Sequence, residues 1–214
     1  AQLVGYRGVG TVEYLYHKET GAYYFLELNP RLQVEHTVSE LITGVNLPAC
    51  MLLVGMGVPL NRIPDLRAYM GTPRLARGPL DFAQAPVAPR HTVACRITAE
   101  NPEDGFTPTS GAIEELNFRN SRQTWGYFAV SSHGGVHEFA DSQFGHVFST
   151  AETREDAISG MVLALKQLTI RGEIRTNKEY LLKLLDMPAF KTADISTAWL
   201  DGLIKGRLKS EKPN

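Results

Sequence analysis

Residues 27–35 read Glu-Leu-Asn-Pro-Arg-Leu-Gln-Val-Glu, and this stretch constrains the chain more than any other. Polar side chains hold every second position: Glu27, Asn29, Arg31, Gln33 and Glu35. Leu28, Pro30, Leu32 and Val34 fill the gaps. In an extended chain successive side chains alternate faces, so the pattern predicts one surface carrying all five. Their chemistry is not that of ordinary solubilising residues. Two carboxylates, two amides and a guanidinium within nine residues make a set of metal ligand, anion clamp and base. A half-exposed edge strand alternates too, which leaves a merely solvated face as the alternative. Pro30 argues against a plain central strand, because it cannot donate to the ladder.

Residues 11–16 (Thr-Val-Glu-Tyr-Leu-Tyr) and 23–28 (Tyr-Tyr-Phe-Leu-Glu-Leu) are rich in β-branched and aromatic side chains and flank a glycine-containing turn. This reads as a β-hairpin. A turn centred near Thr20 places Glu13 opposite Glu27. Like charges directly across strands are unfavourable unless neutralised, and a hard divalent cation does this with one or two carboxylates. Asn29 adds a neutral oxygen on the same face. The alternative is an exposed glutamate pair without metal.

The rest of the chain supplies a frame for this element. Residues 38–44 read as a short helix ended by Gly44, and Pro48 suits the first turn of another reaching about Gly55. Residues 58–90 are loop-rich and contain six prolines. From 91 to 149, strands alternate with Gly, Pro and Asn turns, including a hairpin at Ser131–Gly135, which predicts an antiparallel sheet. The strand 91–98 puts Val93, Cys95 and Ile97 on one face and Arg96 on the other. Thr153 with Asp156 resembles a capping box. The helix after it carries Ala157, Ile158, Met161, Val162, Leu165 and Leu168 on one face. Thr176 and Glu179 repeat the capping signal, Pro188 ends that helix, and a last helix around residues 197–204 precedes a frayed basic tail from Lys205.

The 214 residues carry a formal charge of −1, which gives no electrostatic case for nucleic acid or an anionic membrane. The 43% hydrophobic content fits a packed core, and no apolar run approaches the roughly 20 residues that span a bilayer. Cys50 and Cys95 sit in apolar contexts without metal spacing, as reduced buried thiols do. The simplest compartment is the cytoplasm, with a plastid stroma as the alternative.

The run Gly10-Thr11-Val12-Glu13-Tyr14, followed by Phe25 through Glu35 and His36, resembles the active-site signature of biotin carboxylases, which are ATP-grasp enzymes. Cys95-Arg96-Ile97 before Ala99-Glu100-Asn101-Pro102 is similar to the family's second signature, and Asp141 through His146 to a third segment. Longer stretches (113–119, 124–128, 137–148 and 170–177) resemble the biotin carboxylase part of eukaryotic multidomain acetyl-CoA carboxylases, plant- or alga-like forms above all. The resemblance runs through essentially the whole chain from about Tyr6.

This resemblance implies an α+β fold: the C-terminal portion of an ATP-grasp enzyme with an antiparallel sheet and flanking helices. Residues 1–57 would end the ATP-grasp core and carry the metal and bicarbonate site, and 58–90 would be a proline-rich insertion. Residues 91–207 would form the biotin carboxylase C-terminal domain, and 208–214 a tail. It further implies that Glu13, Glu27 and Asn29 hold Mg²⁺ or Mn²⁺ against ATP phosphates. Arg31, Gln33 and the Val34 backbone would clamp bicarbonate. Glu35 would deprotonate it, and Arg96 would meet biotin brought by a separate carrier domain. The reaction implied is ATP- and bicarbonate-dependent carboxylation of that biotin, leading to malonyl-CoA and fatty acid synthesis. In this group the surface around Trp125 and Phe148 takes macrolide inhibitors. Asp141 either positions active-site loops or caps a turn, His36 either orients Glu35 or is a satisfied interior histidine, and His146 is structural.

Some features depart from the family. Thr37 stands where many relatives have proline. Gly5-Tyr6-Arg7-Gly8-Val9-Gly10 is no phosphate loop, since it precedes a strand and not a helix. The family's N-terminal region and glycine-rich lid have no counterpart in these residues. The chain is therefore expected to be the C-terminal part of a larger domain, inactive without the remainder. The same domain of a propionyl-CoA, pyruvate or urea carboxylase, and a non-catalytic fragment that binds a ligand or partner, stay open as alternatives.

Overall fold

Residues 17–22 reverse the chain, with the Ala22 carbonyl accepting from the His17 N–H at 2.8 Å and Gly21 in the left-handed region at φ 70°. On either side lie β1 (Thr11–Tyr16) and β2 (Tyr23–Asn29), paired antiparallel. Their register sets Thr11 against Asn29 and Glu13 against Glu27, as the turn centre predicted; a bulge after Glu13 shifts the remaining pairs. The computed structural model describes residues 2–84, 86 and 90–210, residues 2 and 206–210 by backbone alone. Residues 85 and 87–89 of the proline-rich stretch and 211–214 of the expected tail lie outside the described residues.

The chain divides into two compact units, Ala1–Arg90 and His91–Asn214. In the first, β2 stops at Asn29, so the extended reading of residues 27–35 holds only for its first three positions. The reason is local. Pro30 has no N–H to continue a ladder, and the Arg31 N–H turns back to the Asn29 carbonyl at 2.8 Å. Residues 34 and 35 form a turn leading into α1 (His36–Thr43), which starts two residues before the predicted helix and ends at Gly44, φ 72°. α2 (Leu47–Gly55) follows, capped by Asn46, whose Oδ1 accepts from the Ala49 N–H at 2.8 Å. Then comes α3 (Pro64–Tyr69). Val45, Cys50 and Ile63 form the small core here, with Leu47, Leu53, Val54, Val58, Leu66 and Tyr69 against them.

Arg67 of α3 is buried, and among the described residues its guanidinium donates to backbone carbonyls alone: Asn61 at 2.8 Å, and Pro73 and Gly78 at 3.2 Å. The proline-rich segment, expected to be loop, thus carries a short helix whose buried cation ties down the chain on both sides.

The second unit is built on β3 (His91–Thr98), β4 (Glu100–Asn101), β5 (Thr107–Pro108), β6 (Gly111–Asn117), β7 (Thr124–Phe128), β8 (Gly135–Val136) and β9 (Gln143–Ala151). After these come α4 (Arg154–Gln167), β10 (Thr169–Gly172), α5 (Lys178–Asp186), α6 (Pro188–Lys191) and α7 (Trp199–Ser210). All strand pairs are antiparallel. They make separate small sheets ordered β3-β9-β7, β10-β6-β8 and β4-β5, where the sequence pattern predicted one. Val93, Cys95 and Ile97 of β3 and Val147 of β9 pack against Ala157, Ile158, Met161, Ala164 and Leu165 of α4. Each large side chain buried in this way contributes about 1.5–3 kcal/mol. Thr153 caps α4 as expected, accepting from the Asp156 N–H at 3.1 Å.

Three details differ from expectation. The residue at the start of α5 is Asn177, not Thr176, and its side chain makes no cap. Pro188 opens α6 instead of only closing α5. The backbone of α7 stays helical past Lys205, where a frayed tail was expected. Among the described residues no single helix is long and apolar enough to cross a membrane.

Candidate functional site

The hairpin register brings Glu13 and Glu27 face to face, and Asn29 resolves their repulsion. Its Nδ2 donates to Glu13 Oε1 at 2.8 Å and to Glu27 Oε1 at 2.9 Å. Gln33 Nε2 adds a third bond to Glu13 Oε1 at 3.2 Å. Gly10 makes the approach possible: a Cβ there would stand 2.9 Å from the Asn29 carbonyl oxygen. Tyr6 steadies the same loop, its hydroxyl donating to the Val9 carbonyl at 2.8 Å.

Both carboxylates reach the same amide nitrogen, so a cation taking the place of that donor would draw on Glu13 and Glu27 together. Among the described residues no group of three or more His, Cys, Asp or Glu forms a metal cluster. The donor set here is instead two carboxylates and the Asn29 amide oxygen, available on rotation of that amide. Such a hard-oxygen set suits Mg²⁺ or Mn²⁺, whose remaining positions go to water and phosphate oxygens. The residues therefore fit the ion.

Beyond Asn29 the polar residues no longer alternate on a strand, yet they converge. Arg31, Gln33, Glu35 and His36 line one pocket of about 280 Å³ with Gly10 and Thr11. Arg31 is exposed, and its guanidinium makes only a long bond of 3.4 Å to the Leu32 carbonyl. Gln33 Oε1 is buried with no hydrogen-bond partner among the described residues. Glu35 occupies the residue before α1 but does not cap it. The His36 and Val38 N–H groups at the start of α1 donate to the Gln33 and Glu35 carbonyls at 3.1 and 3.0 Å. Val34 is exposed beside it. His36 Nδ1 lies 2.8 Å from Glu40 Oε2, one helical turn on, without the alignment of a hydrogen bond among the described residues.

In the second unit Arg96 is exposed on the face of β3 opposite Val93, Cys95 and Ile97, as the alternation predicted. Across the sheet it pairs with His146 of β9, which pairs in turn with Tyr127 of β7. The neighbouring row is Ala94, Phe148 and Trp125. Trp125 stacks on Phe148 with centroids 4.8 Å apart, and His146 lies 4.1 Å from Phe148. Arg96 thus stands at the end of an aromatic platform. Phe148, expected at an exposed surface, is fully buried, so the half-buried Trp125 is the member that offers area. Asp141 Oδ1 accepts from the Gln143 N–H at 2.9 Å, the turn-capping alternative. His146 is buried, in line with a structural role.

Similarity to known proteins agrees with these features. Residues 94–202 match the family described as biotin carboxylase C-terminal domain, and residues 1–63 match the carbamoyl-phosphate synthase L chain, ATP binding domain. The chain is 52% identical to an acetyl-CoA carboxylase of Schizosaccharomyces pombe over 100% of its own length and 10% of the relative's. It is 50% identical to acetyl-CoA carboxylase 2 of Arabidopsis thaliana with the same shares. The chain thus spans about a tenth of the length of the curated relatives it matches. Its fold is similar to the biotin carboxylase domain of Hydrogenobacter thermophilus 2-oxoglutarate carboxylase, solved with MgADP, ADP and bicarbonate. There the TM-score is 0.75 at 26% identity, covering 90% of this chain and 38% of that one.

Proposed function

Because the chain belongs to the biotin carboxylase C-terminal domain family, matched over residues 94–202, we propose that it forms part of the biotin carboxylase component of an acetyl-CoA carboxylase. The full-length protein would carry out ATP- and bicarbonate-dependent carboxylation of carrier-borne biotin, feeding malonyl-CoA to fatty acid synthesis. The observation that carries this reading is the convergence of Glu13, Glu27, Asn29 and Gln33 by hydrogen bonds, next to a pocket lined by Arg31, Gln33 and Glu35. Identities of 48–52% to acetyl-CoA carboxylases, against 26–31% to solved pyruvate, 2-oxoglutarate and urea carboxylases of similar fold, favour that parent over a pyruvate or urea carboxylase.

In this reading Glu13, Glu27 and Asn29 hold Mg²⁺ or Mn²⁺, and the ion, when bound, neutralises nucleotide phosphates during phosphoryl transfer. Arg31 offers a planar fork of donors that suits a carbonate-type anion. The Gln33 side chain and the Val34 N–H hold the same anion and leave its one hydroxyl to Glu35. Glu35 takes the hydroxyl proton, and the freed oxygen would attack the terminal phosphorus of ATP as its bond to the departing ADP breaks, giving carboxyphosphate, which yields CO₂ and phosphate. Arg96 supplies positive charge where negative charge develops on the ureido group of biotin. The partners are ATP, bicarbonate, the biotin carrier and the N-terminal remainder of the domain, and the Trp125 surface is the place for a macrolide inhibitor.

Bicarbonate-dependent ATP cleavage by the full-length protein, without biotin, tests the assignment. Glu35→Gln keeps the shape and removes the base, and the expected loss is on the order of 100- to 10,000-fold in kcat. Unchanged cleavage would remove Glu35 from the mechanism.

A further inference from the structure

We infer that Asn177, the last residue of the 170–177 stretch and without an assigned role, is a positioning residue that fixes the direction of Arg96. The inference rests on the assignment of Arg96 to biotin. β3 is the edge strand of its sheet, so one side of its backbone has no strand partner. On that side the Asn177 side chain acts as a one-residue strand. Its Oδ1 accepts from the Thr98 N–H at 3.1 Å, and its Nδ2 donates to the Arg96 carbonyl at 3.0 Å. The Asn177 N–H adds a bond to the Thr98 carbonyl at 3.3 Å. Three hydrogen bonds from one residue thus pin the backbone from Arg96 to Thr98. The ladder to β9 is irregular at that point, shifting register between Ile97 and Thr98.

The residue type follows from this task. Asn177 begins α5, where an acceptor side chain normally caps the helix for about 1 kcal/mol, yet it makes no cap. Capping requires only an acceptor, and Asp, Ser or Thr would serve. Gripping a carbonyl and an N–H at once requires a donor and an acceptor on one planar group, which an amide provides. Asn177 is 8% exposed, so its bonds are little contested by water. Arg96 carries its charge at the end of a long side chain, where small backbone rotations are amplified. A shift of about 1 Å at a reacting group can cost on the order of 100-fold in rate.

Asn177→Asp separates positioning from capping. The carboxylate keeps the acceptor for Thr98 and suits a helix N-terminus, but it loses the donor to Arg96 and sets an oxygen against that carbonyl. In the full-length enzyme the expected result is a 10- to 100-fold fall in kcat for carboxylation of free biotin. ATP cleavage driven by bicarbonate alone should stay within about twofold, with KM for ATP unchanged. Where Asp lowers the urea midpoint, Asn177→Ser, also tolerated at helix starts, must show the same split. In an Arg96→Ala background, Asn177→Asp should add no further loss. Both reactions falling together, both unchanged, or losses that multiply in the double variant would overturn the inference. Full carboxylation by Arg96→Ala alone would remove instead the biotin role of Arg96.

Discussion

Glu13 and Glu27 stand opposite each other across the β1–β2 hairpin, and one amide nitrogen, Asn29 Nδ2, donates to both. Without that donor the pair repels, so Asn29→Asp should destabilise the protein by about 1–3 kcal/mol in chelator-containing buffer. Added Mg²⁺ with nucleotide should recover a large part of the loss, since a third carboxylate strengthens a cation site. Urea midpoints with and without Mg²⁺-ADP check this. A loss that Mg²⁺-ADP does not relieve would count against a cation at the pair.

Arg67 holds residues 61–78 through the carbonyls of Asn61, Pro73 and Gly78. Arg67→Ala would take the donor from the Asn61 carbonyl, leave the Pro73 and Gly78 carbonyls to Ala76 N–H and Asn61 Nδ2, and open a cavity. The expected cost is about 2–4 kcal/mol, read by urea denaturation, with the larger effect in the first unit. Arg67→Lys should recover little, because a single ammonium lacks the fork that reaches carbonyls in different directions.

Burial pushes the Cys95 thiol up to about 12. A thiol held protonated in the folded state binds more protons there than in the unfolded chain. Stability is therefore fully present below the ordinary thiol value of 9.0 and falls as pH rises from there toward about 12. The slope is at most roughly 1.4 kcal/mol per pH unit. Cys95→Ala should flatten this alkaline limb. Native Cys95 should also resist thiol reagents at pH 8 until unfolding, because the thiolate is the nucleophile. Rapid native labelling would contradict its burial against α4.

What the sequence made legible follows from how local each determinant is. The Glu13–Glu27 register could be read because the turn length and the β-rich flanks fix it within twenty residues. The face of Arg96 could be read because Val93, Cys95 and Ile97 alternate with it and bury. The stretch from Arg31 to Glu35 misled, since alternation on paper does not survive the turn at Pro30. Its members still meet, but through a pocket ahead of α1 and not along a strand. β10 gave no signal: it is four residues long, and its half-buried and exposed positions do not alternate. Asn177 was hidden behind Thr176, which mimics a capping box. Its actual partners lie about eighty residues away on β3, and no local pattern reports them.

The central claim is that the hairpin pair holds the divalent ion of the nucleotide. Titration of Mn²⁺ into the full-length protein with ADP, followed by the paramagnetic signal of free Mn²⁺, measures this directly. Glu27→Gln removes one carboxylate and keeps the shape. The account predicts at least a tenfold weaker Mn²⁺ affinity, since even outer-shell partners of a metal are worth about 10- to 100-fold. Equal affinity in Glu27→Gln and the unaltered protein would contradict it.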